Sequence, residues 1–169
     1  MRLSQDFFRQ DVLTVAPALV GAVIFRRLPD GSVIHGRIAE TEAYRGSEDL
    51  ACHASRGRTR RTETLYRAGG CSYVYLVYGL HWLFNVVTGP EDAPQGVLIR
   101  AMDKPFDGPA KWTKAFQITG EHNGLYLPES DVLWIEEGDR PPLRTAPRVG
   151  IDYAAEPWKS MPWRFIAQQ

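Results

Sequence analysis

The amino-acid sequence predicts an α+β fold: a single domain built on a curved, largely antiparallel, open barrel-like β-sheet, with short flanking helices and a protruding β-hairpin. Two observations favour this class. Hairpins follow one another along the chain, and strands do not alternate regularly with helices as the crossovers of a parallel sheet require. A length of 169 residues with 44% hydrophobic content fits one core. We therefore expect one domain over residues 1–169.

The first part of the chain reads as a short helix followed by a β-hairpin. The helix is predicted over residues 14–19, with Thr14 as its N-cap. Strands over 22–27 and 32–43 flank the turn Leu28-Pro29-Asp30-Gly31. Its proline presets one backbone angle and its glycine tolerates a left-handed one, so the two strands are expected to pair.

A second hairpin follows in the middle of the chain. A short helix is predicted over 62–67, before the break at Gly69-Gly70. Strands over 72–77 and 82–87 are rich in tyrosine, valine and phenylalanine, and the chain bends between them at Tyr78-Gly79. This bend is the tip of the protruding hairpin.

The last third contains short elements separated by proline-rich turns. A strand is predicted over 96–102, on which Leu98, Arg100 and Met102 would share one polar-accessible face. A helix is predicted over 109–116, with Gly120 marking its stop. Three further short strands are predicted over 132–135, 144–149 and 163–166.

Composition excludes several functional classes. Two cysteines cannot form a disulfide scaffold, and the four histidines lack the paired spacing of metal ligands, so we expect no metal and no cofactor. Twenty basic residues balance twenty acidic ones, which argues against a protein that coats nucleic acid through bulk charge. The chain has no apolar run typical of a signal peptide or a membrane span, so we expect a cytoplasmic protein without membrane contact.

Positive charge is nevertheless concentrated in one segment. Five arginines lie between positions 56 and 67, where Glu63 is the single acid. They are Arg56, Arg58, Arg60, Arg61 and Arg67. From the charge alone, this segment is either a phosphate-binding surface or a solvated loop.

The segment from Arg37 to Tyr44 carries the clearest sign of chemistry. Because alternate side chains of a strand share a face, Ile38, Glu40, Glu42 and Tyr44 are expected to point one way. A carboxylate beside a flat ring could activate a water next to a stacked substrate. An edge strand with exposed acids is the other interpretation, and alternation cannot choose between the two glutamates.

Other residues point to a site on the same sheet. Tyr73 and Tyr75 should share a face, while Tyr78 at the bend should be exposed. Arg100 interrupts an apolar strand, so a buried guanidinium there needs an acidic partner, for which Glu42 is a candidate.

Two polar residues have both structural and functional interpretations. His53 can change protonation near neutral pH, although a single histidine is more often a structural hydrogen-bonding group. Asn85 can bind substrate, or it can satisfy the backbone near a turn.

At this point the residues match a known pattern in order along nearly the whole chain. The segments that carry this pattern are 37–49 with His53, 73–79, Asn85, 97–101, 108–111, 148–150 and 162–165. In these segments the sequence resembles the alkyladenine (3-methyladenine, or methylpurine) DNA glycosylases.

The resemblance implies a monofunctional DNA glycosylase that initiates base excision repair. Such an enzyme flips an alkylated or modified purine out of duplex DNA and hydrolyses its N-glycosidic bond with an activated water. The implied substrates are of the 3-methyladenine type, with hypoxanthine and ethenoadenine as further candidates. The implied partner is double-stranded DNA with a damaged base, bound by a nucleoid-associated monomer.

The resemblance also implies roles for individual residues. Glu42 would be the general base, and Arg100 would position the water and a phosphate. Tyr44 and Tyr75 would sandwich the extruded base, with His53 completing the wall.

Further roles concern the pocket floor and the DNA. Asn85 would exclude the 2-amino group of guanine, and Leu98 would pack around the pocket. Tyr78 would fill the gap left by the flipped nucleotide, together with Leu80, where the family commonly has methionine. The five arginines of the 56–67 segment would contact phosphates.

Glu40 is expected to pair with an arginine such as Arg37 or Arg100. Two alternatives to the glycosylase are a non-catalytic module that binds distorted DNA or structured RNA, and a small-molecule hydrolase that uses Glu40 and Glu42 together. Side chains two residues apart on a strand lie about 7 Å from each other and point in parallel, which is poor geometry for flanking a substrate.

Overall fold

The computed structural model describes residues 1–168, which form a curled antiparallel sheet in the shape of a half-barrel, with short helices against it. This confirms the predicted α+β fold. The helices are α1 (Gln5–Phe8), α2 (Val12–Leu19) and α3 (Pro109–Ala115). The strands are β1 (Val23–Arg27), β2 (Val33–Arg45), β3 (Ser72–Val77), β4 (His81–Val87), β5 (Gln95–Met102), β6 (Leu133–Glu136), β7 (Leu143–Ala146) and β8 (Arg164–Ala167).

Strand β2 is the centre of the sheet. The main strand order is β3-β4-β5-β2-β1-β6, and β8 pairs with both β2 and β7. The first half of β2 pairs with β1, while its second half lies between β5 and β8. One long strand therefore takes part in three ladders and joins the two parts of the sheet.

The ladder between β2 and β5 is irregular beside Glu40, where the register shifts on both sides. The two shifts cancel, because Ile38 and Glu42 pair with β5 in the same register, so the irregularity is a local bulge that interrupts the alternation of side chains. Ile38 and Met102 pair with each other and pack in the core. The predictions that Ile38 shares a face with Glu42 and that Met102 lies on the polar-accessible face of its strand are therefore wrong.

Helix α2 closes the core against β2. The hydroxyl of Thr41 donates to the carbonyl of Ala16 at 2.8 Å. The helix begins earlier than the sequence predicted, because the side chain of Asp11, not that of Thr14, caps it by accepting from Leu13 N at 3.0 Å. The four-residue helix α1 was not predicted, since it is too short to show a periodicity.

Most other elements lie within two residues of their predicted bounds. Residues 63–66 form a 3-10 helix within the predicted helical segment. The predicted strand over 144–149 ends earlier, at Ala146, because Arg148 turns into the protein. Within residues 1–168, no helix has the length and apolarity needed to cross a bilayer.

A fully buried ion pair between Arg148 and Asp49 fixes the loop after β7. Arg148 donates to the Asp49 carboxylate at 2.6 and 3.0 Å. The same guanidinium donates to the carbonyls of Ala43 and Trp158, so one side chain joins β2, the loop after it and the C-terminal segment. Asp49 also accepts from the backbone N–H of Arg45.

Removing one charge of this pair should destabilise the fold strongly. Asp49→Asn leaves the Arg148 guanidinium buried without a counter-charge, which costs about 3–5 kcal/mol. Urea denaturation would measure the loss in free energy of unfolding. Asp103→Asn is the matched control, because it removes an exposed partner of Arg37 and should cost less than about 1 kcal/mol. Equal losses in the two variants would contradict this assignment.

Candidate active site

A cavity of about 380 Å³ lies between the β3–β4 hairpin, the loop after β2 and the segment 149–153. This volume is within the range of small-molecule sites. Most of its wall is apolar or aromatic, and the few polar groups converge on it from different strands. The predicted site residues that line it are Tyr44, His53, Tyr75, Tyr78, Asn85, Leu98 and Arg100.

The pairing of four adjacent strands explains why these residues meet. Tyr73 pairs with Asn85, Asn85 pairs with Leu98, and Leu98 pairs with Glu42. Directly paired residues of a sheet lie on the same face, about 5 Å apart. A single row of side chains therefore runs from β3 to β2, and the cavity lies over this row. Gly96, opposite Tyr44 on β5, also lines the cavity, and a Cβ at this position would lie 3.2 Å from the side chain of Leu65.

Glu42 is the most completely enclosed acid of the site, with a side chain that is 0% exposed. The hydroxyl of Tyr44 donates to its Oε1 at 2.8 Å, and the backbone N–H of Val149 donates to its Oε2 at 2.8 Å. Arg100 Nη1 lies 3.6 Å from Oε1. These three residues line the cavity, and the carboxylate lies directly behind them. The predicted pairing of Arg100 with Glu42 is present.

Glu40 lies apart from this cluster. Its carboxylate pairs with Arg164 at 3.4 Å, and it is absent from the residues that line the cavity. The expected arginine partner is therefore present, but it is neither of the two named examples, because Arg37 bonds to Asp103 and Asp139 and Arg100 approaches Glu42. The structure thus separates the two glutamates that alternation made equivalent, and a hydrolase that uses both acids on one substrate has no geometric support.

His53 lies in the wall between two tyrosines. Its Nδ1 is 3.0 Å from the hydroxyl of Tyr73, and its ring centroid is 4.5 Å from that of Tyr75. Burial, with a smaller contribution from the charges of Arg61 and Arg56, lowers the pKa of His53 to about 4. The imidazole is therefore neutral at physiological pH, and the expectation that it changes protonation near neutrality is wrong.

Asn85 and Leu98 form part of the floor, and both are buried. The amide of Asn85 donates to the carbonyl of Tyr73 at 3.1 Å. The interpretation of Asn85 as a residue that satisfies the backbone is therefore correct. Because Asn85 also lines the cavity, it can contact a substrate as well. Because this bond holds the amide, its orientation toward the cavity is fixed before any ligand enters.

The tip of the β3–β4 hairpin exposes two large apolar side chains. Tyr78 is 92% exposed, as the sequence predicted for a residue at the bend, and Leu80 is 74% exposed. Tyr78 and Gly79 both have positive φ angles, of 53° and 64°. The N–H of Leu80 bonds to the carbonyl of Val77, which closes the turn. A left-handed tyrosine is strained, so a sequence that only needed the turn would favour asparagine or glycine.

The five arginines of the 56–67 segment are all exposed, but they differ in their partners. Arg58 pairs with Glu63 at 2.7 Å and with Asp92 at 3.0 Å, so much of its charge is neutralised within the protein. Arg67 donates to the carbonyl of Gly124. In the described part of the chain, Arg56, Arg60 and Arg61 make no ion pair, and Arg56 and Arg61 are near enough to the cavity wall for their charges to act on His53.

Sequence reasoning missed several lining residues. Tyr73 was placed on the correct face but was not assigned to the site, and its alternation with Tyr75 could have indicated it. Val149 and Tyr153 come from a loop that the sequence predicted in part as strand. The hydroxyl of Tyr153 donates to the carbonyl of Ala51 at 3.0 Å. No local signal places this loop beside β2, because a buried ion pair holds it there. Nowhere in residues 1–168 do three His, Cys, Asp or Glu side chains lie close enough to hold a metal ion.

Comparison with known proteins gives consistent matches over nearly the full length. The family described as methylpurine-DNA glycosylase (MPG) matches residues 6–169. A relative from Clostridium botulinum, described as "Putative 3-methyladenine DNA glycosylase", is 40% identical over 98% of this chain and 95% of its own length. Similarly described relatives from Clostridium beijerinckii and an Anaeromyxobacter species are 39% and 43% identical over 99% of this chain, and over 96% and 90% of their own lengths.

The lowered pKa of His53, about 4, predicts a loss of stability in weak acid. The unfolded chain binds a proton on this histidine near its ordinary pKa of about 6.5, whereas the folded protein does not. The contribution of neutral His53 to the free energy of unfolding is complete above about pH 6.5. It is lost as the pH falls toward about 4, at up to about 1.4 kcal/mol per pH unit. His53→Gln removes this dependence.

Urea denaturation of both proteins across this pH range would measure the effect. The carboxylates titrate in both proteins, so their contribution cancels in the difference between the two unfolding free energies. It should shrink as the pH falls, and a difference that stays constant with pH would contradict the neutral state of His53.

Proposed function

The chain belongs to the methylpurine-DNA glycosylase family and is a DNA glycosylase, and on that premise we propose that it is a monofunctional enzyme that excises modified purines from duplex DNA. In this proposal a damaged nucleotide is rotated out of the duplex and its base enters the 380 Å³ cavity. Hydrolysis of the N-glycosidic bond then leaves an abasic sugar, which is the starting point of base excision repair.

The arrangement around Glu42 carries the proposal. A fully buried carboxylate has one direct donor on each oxygen and an arginine at 3.6 Å, and it lies behind three residues that line the aromatic cavity. An anion there can accept a proton from a water, and it stabilises the positive charge that develops on the sugar. A protein that only bound DNA would have no use for such a group.

The chemical step follows from these positions. Glu42 removes a proton from a water, and the water oxygen bonds to C1′ of the sugar as the bond from C1′ to the base nitrogen breaks. The electron pair of that bond leaves with the base. Arg100 positions the water and a phosphate. Within residues 1–168 no lysine lines the cavity, which supports a hydrolytic mechanism without a covalent enzyme intermediate or strand nicking.

Stacking supplies the affinity for the extruded base. In the proposal, the rings of Tyr44 and Tyr75 enclose it, at about 1–3 kcal/mol for each stacked base. Arg148 lies 4.9 Å from the Tyr44 ring centroid and Arg61 lies 5.6 Å from that of Tyr75. These cations already interact with the rings, so the additional attraction for a cationic alkylated base is reduced. This supports a substrate range that includes neutral purines such as hypoxanthine and ethenoadenine beside 3-methyladenine.

The hairpin tip is proposed to enter the minor groove. Tyr78 would fill the space left by the flipped nucleotide, with Leu80 beside it. Exposure of two adjacent large apolar side chains on a turn is costly for a soluble surface, and their use as a wedge accounts for it. Arg56, Arg60 and Arg61 would contact phosphates near the cavity mouth, with Arg58 and Arg67 contributing less.

Replacing the proposed base should remove activity without removing the fold. Glu42→Gln keeps the shape of the side chain but not its charge, so release of hypoxanthine from a duplex should fall at least about 100-fold. Glu40→Gln is the matched control, because Glu40 lies two residues earlier on the same strand and pairs with Arg164 outside the cavity. Free base and abasic sites would be counted under single-turnover conditions. Full activity of Glu42→Gln would refute this role, and DNA binding without base release by the wild type would refute the proposed function.

The strained tip predicts opposite changes in stability and activity. Tyr78→Asn should raise the free energy of unfolding by about 1 kcal/mol, because asparagine adopts the left-handed conformation more readily. The same change removes the proposed wedge, so excision from duplex DNA should fall at least about tenfold.

Gln117→Asn is the matched control for the backbone effect. Gln117 also has a φ angle of 53° and lies away from the cavity, so its replacement should stabilise the protein while excision is retained. Unfolding curves and single-turnover excision would be measured for both variants. A Tyr78→Asn variant with wild-type excision would refute the wedge.

A further inference from the structure

The phenol of Tyr44 has a contact that stacking does not require. Its hydroxyl reaches back along β2 and donates to Glu42 Oε1 at 2.8 Å. We propose that Tyr44 is a positioning residue for Glu42: the Tyr44 hydroxyl holds the carboxylate in its orientation, in addition to the ring forming a wall of the base pocket. This inference rests on the proposed function of Glu42 as the general base.

The Tyr44 hydroxyl is important because each oxygen of the Glu42 carboxylate has a single direct donor. Oε2 has one direct donor, the N–H of Val149, and Oε1 has one direct donor, the hydroxyl of Tyr44. Arg100 contributes charge from 3.6 Å, which is beyond direct hydrogen-bond distance. Without the hydroxyl, one oxygen of a fully buried carboxylate would have no direct donor, and a buried anion is stabilised largely by such donors.

The hydroxyl acts as a donor at all pH values in the working range. Burial, followed by the negative charge of Glu42, raises the pKa of Tyr44 well above its ordinary value. The phenol therefore stays protonated. An ionised carboxylate accepts this bond more strongly than a neutral carboxyl group does, so the bond favours the form that can remove a proton from water.

The direction of the hydroxyl is fixed by the groups behind the ring. The guanidinium of Arg148 lies 4.9 Å from the ring centroid and is itself held by Asp49 and by the carbonyl of Ala43. The loop that supplies the N–H of Val149 is tied down by the same guanidinium. Both direct donors to Glu42 therefore depend on one buried ion pair.

Other charged or titratable groups also face this carboxylate. Arg100 approaches from β5, Arg148 lies behind Tyr44, and Tyr75 faces it from β3. Arg164, which pairs with Glu42 in the β8 ladder, directs its guanidinium to Glu40 and to the carbonyl of Pro147. Of the neutral side chains, Tyr44 is the one that bonds directly to Glu42 in the described structure.

The ring and the hydroxyl can be separated by Tyr44→Phe, which keeps the ring. Loss of a hydrogen bond to a charged acceptor makes protonation of the carboxylate easier. Single-turnover release of hypoxanthine from a duplex would be measured between about pH 5 and about pH 8. The acidic limb of the profile should move up by about one pH unit, with a rate about fivefold lower at the wild-type midpoint and up to about tenfold lower below it. Duplex affinity should change less than about threefold, because stacking is retained.

Tyr75→Phe is the matched control. It removes a phenol hydroxyl from the same cavity, and that hydroxyl has no bond to Glu42. Whatever its effect on rate, its acidic limb should remain at the wild-type position. Superimposable pH profiles of wild type and Tyr44→Phe would overturn the inference, as would equal shifts in both variants.

A spectroscopic measurement separates failure of this inference from failure of the proposed function. Tyrosine Raman bands report whether a phenol donates a strong hydrogen bond, and the difference between wild type and Glu42→Gln isolates the tyrosine that bonds to Glu42. Loss of one strong-donor signature supports the inference even if the wild type releases no base, a result that would refute only the proposed function. Identical tyrosine spectra would overturn the inference even in an active enzyme.

Discussion

The buried pair of Arg148 and Asp49 is the interaction on which the site depends. A guanidinium out of contact with water is tolerable only with a counter-charge and several acceptors, and here it has a carboxylate and two backbone carbonyls. Its position brings the loop after β7 against β2 and fixes the ring of Tyr44. The direct donors to Glu42 follow from this placement, so an ion pair with no contact to the cavity determines the environment of the proposed base.

The sheet supplies the second constraint, which is register. The row from Tyr73 through Asn85 and Leu98 to Glu42 exists because each residue pairs directly with the next across four strands. The irregular ladder beside Glu40 changes which side chains share a face with Glu42. A strand with perfect alternation would have directed Ile38 toward the site. The irregularity instead keeps Ile38 in the core, while Glu40 bonds to Arg164 at the edge of the sheet.

Charge in this glycosylase is arranged locally. With equal numbers of acidic and basic residues, the protein has no long-range attraction to DNA, so binding must come from a few positions. The proposed phosphate contacts lie in the arginine-rich segment, where Arg58 is neutralised by its own acidic partners. The charges of Arg56 and Arg61 reach His53 and help to keep it neutral. Glu42, in contrast, has a charged partner in Arg100.

The sequence alone determined what depends on near neighbours: the hairpins, the exposed tip at Tyr78, the common face of Tyr73 and Tyr75, and the family through its ordered motifs. Alternation and turn chemistry act over a few residues, so they can be read from the chain. Tertiary structure decided what depends on distant contacts. The spatial separation of Glu42 from Glu40, which alternation made equivalent, followed from the irregular ladder beside Glu40 and from Arg164, 124 positions away. The role of Val149 and the neutral state of His53 followed from burial, because burial is a property of the packed molecule and not of any local pattern.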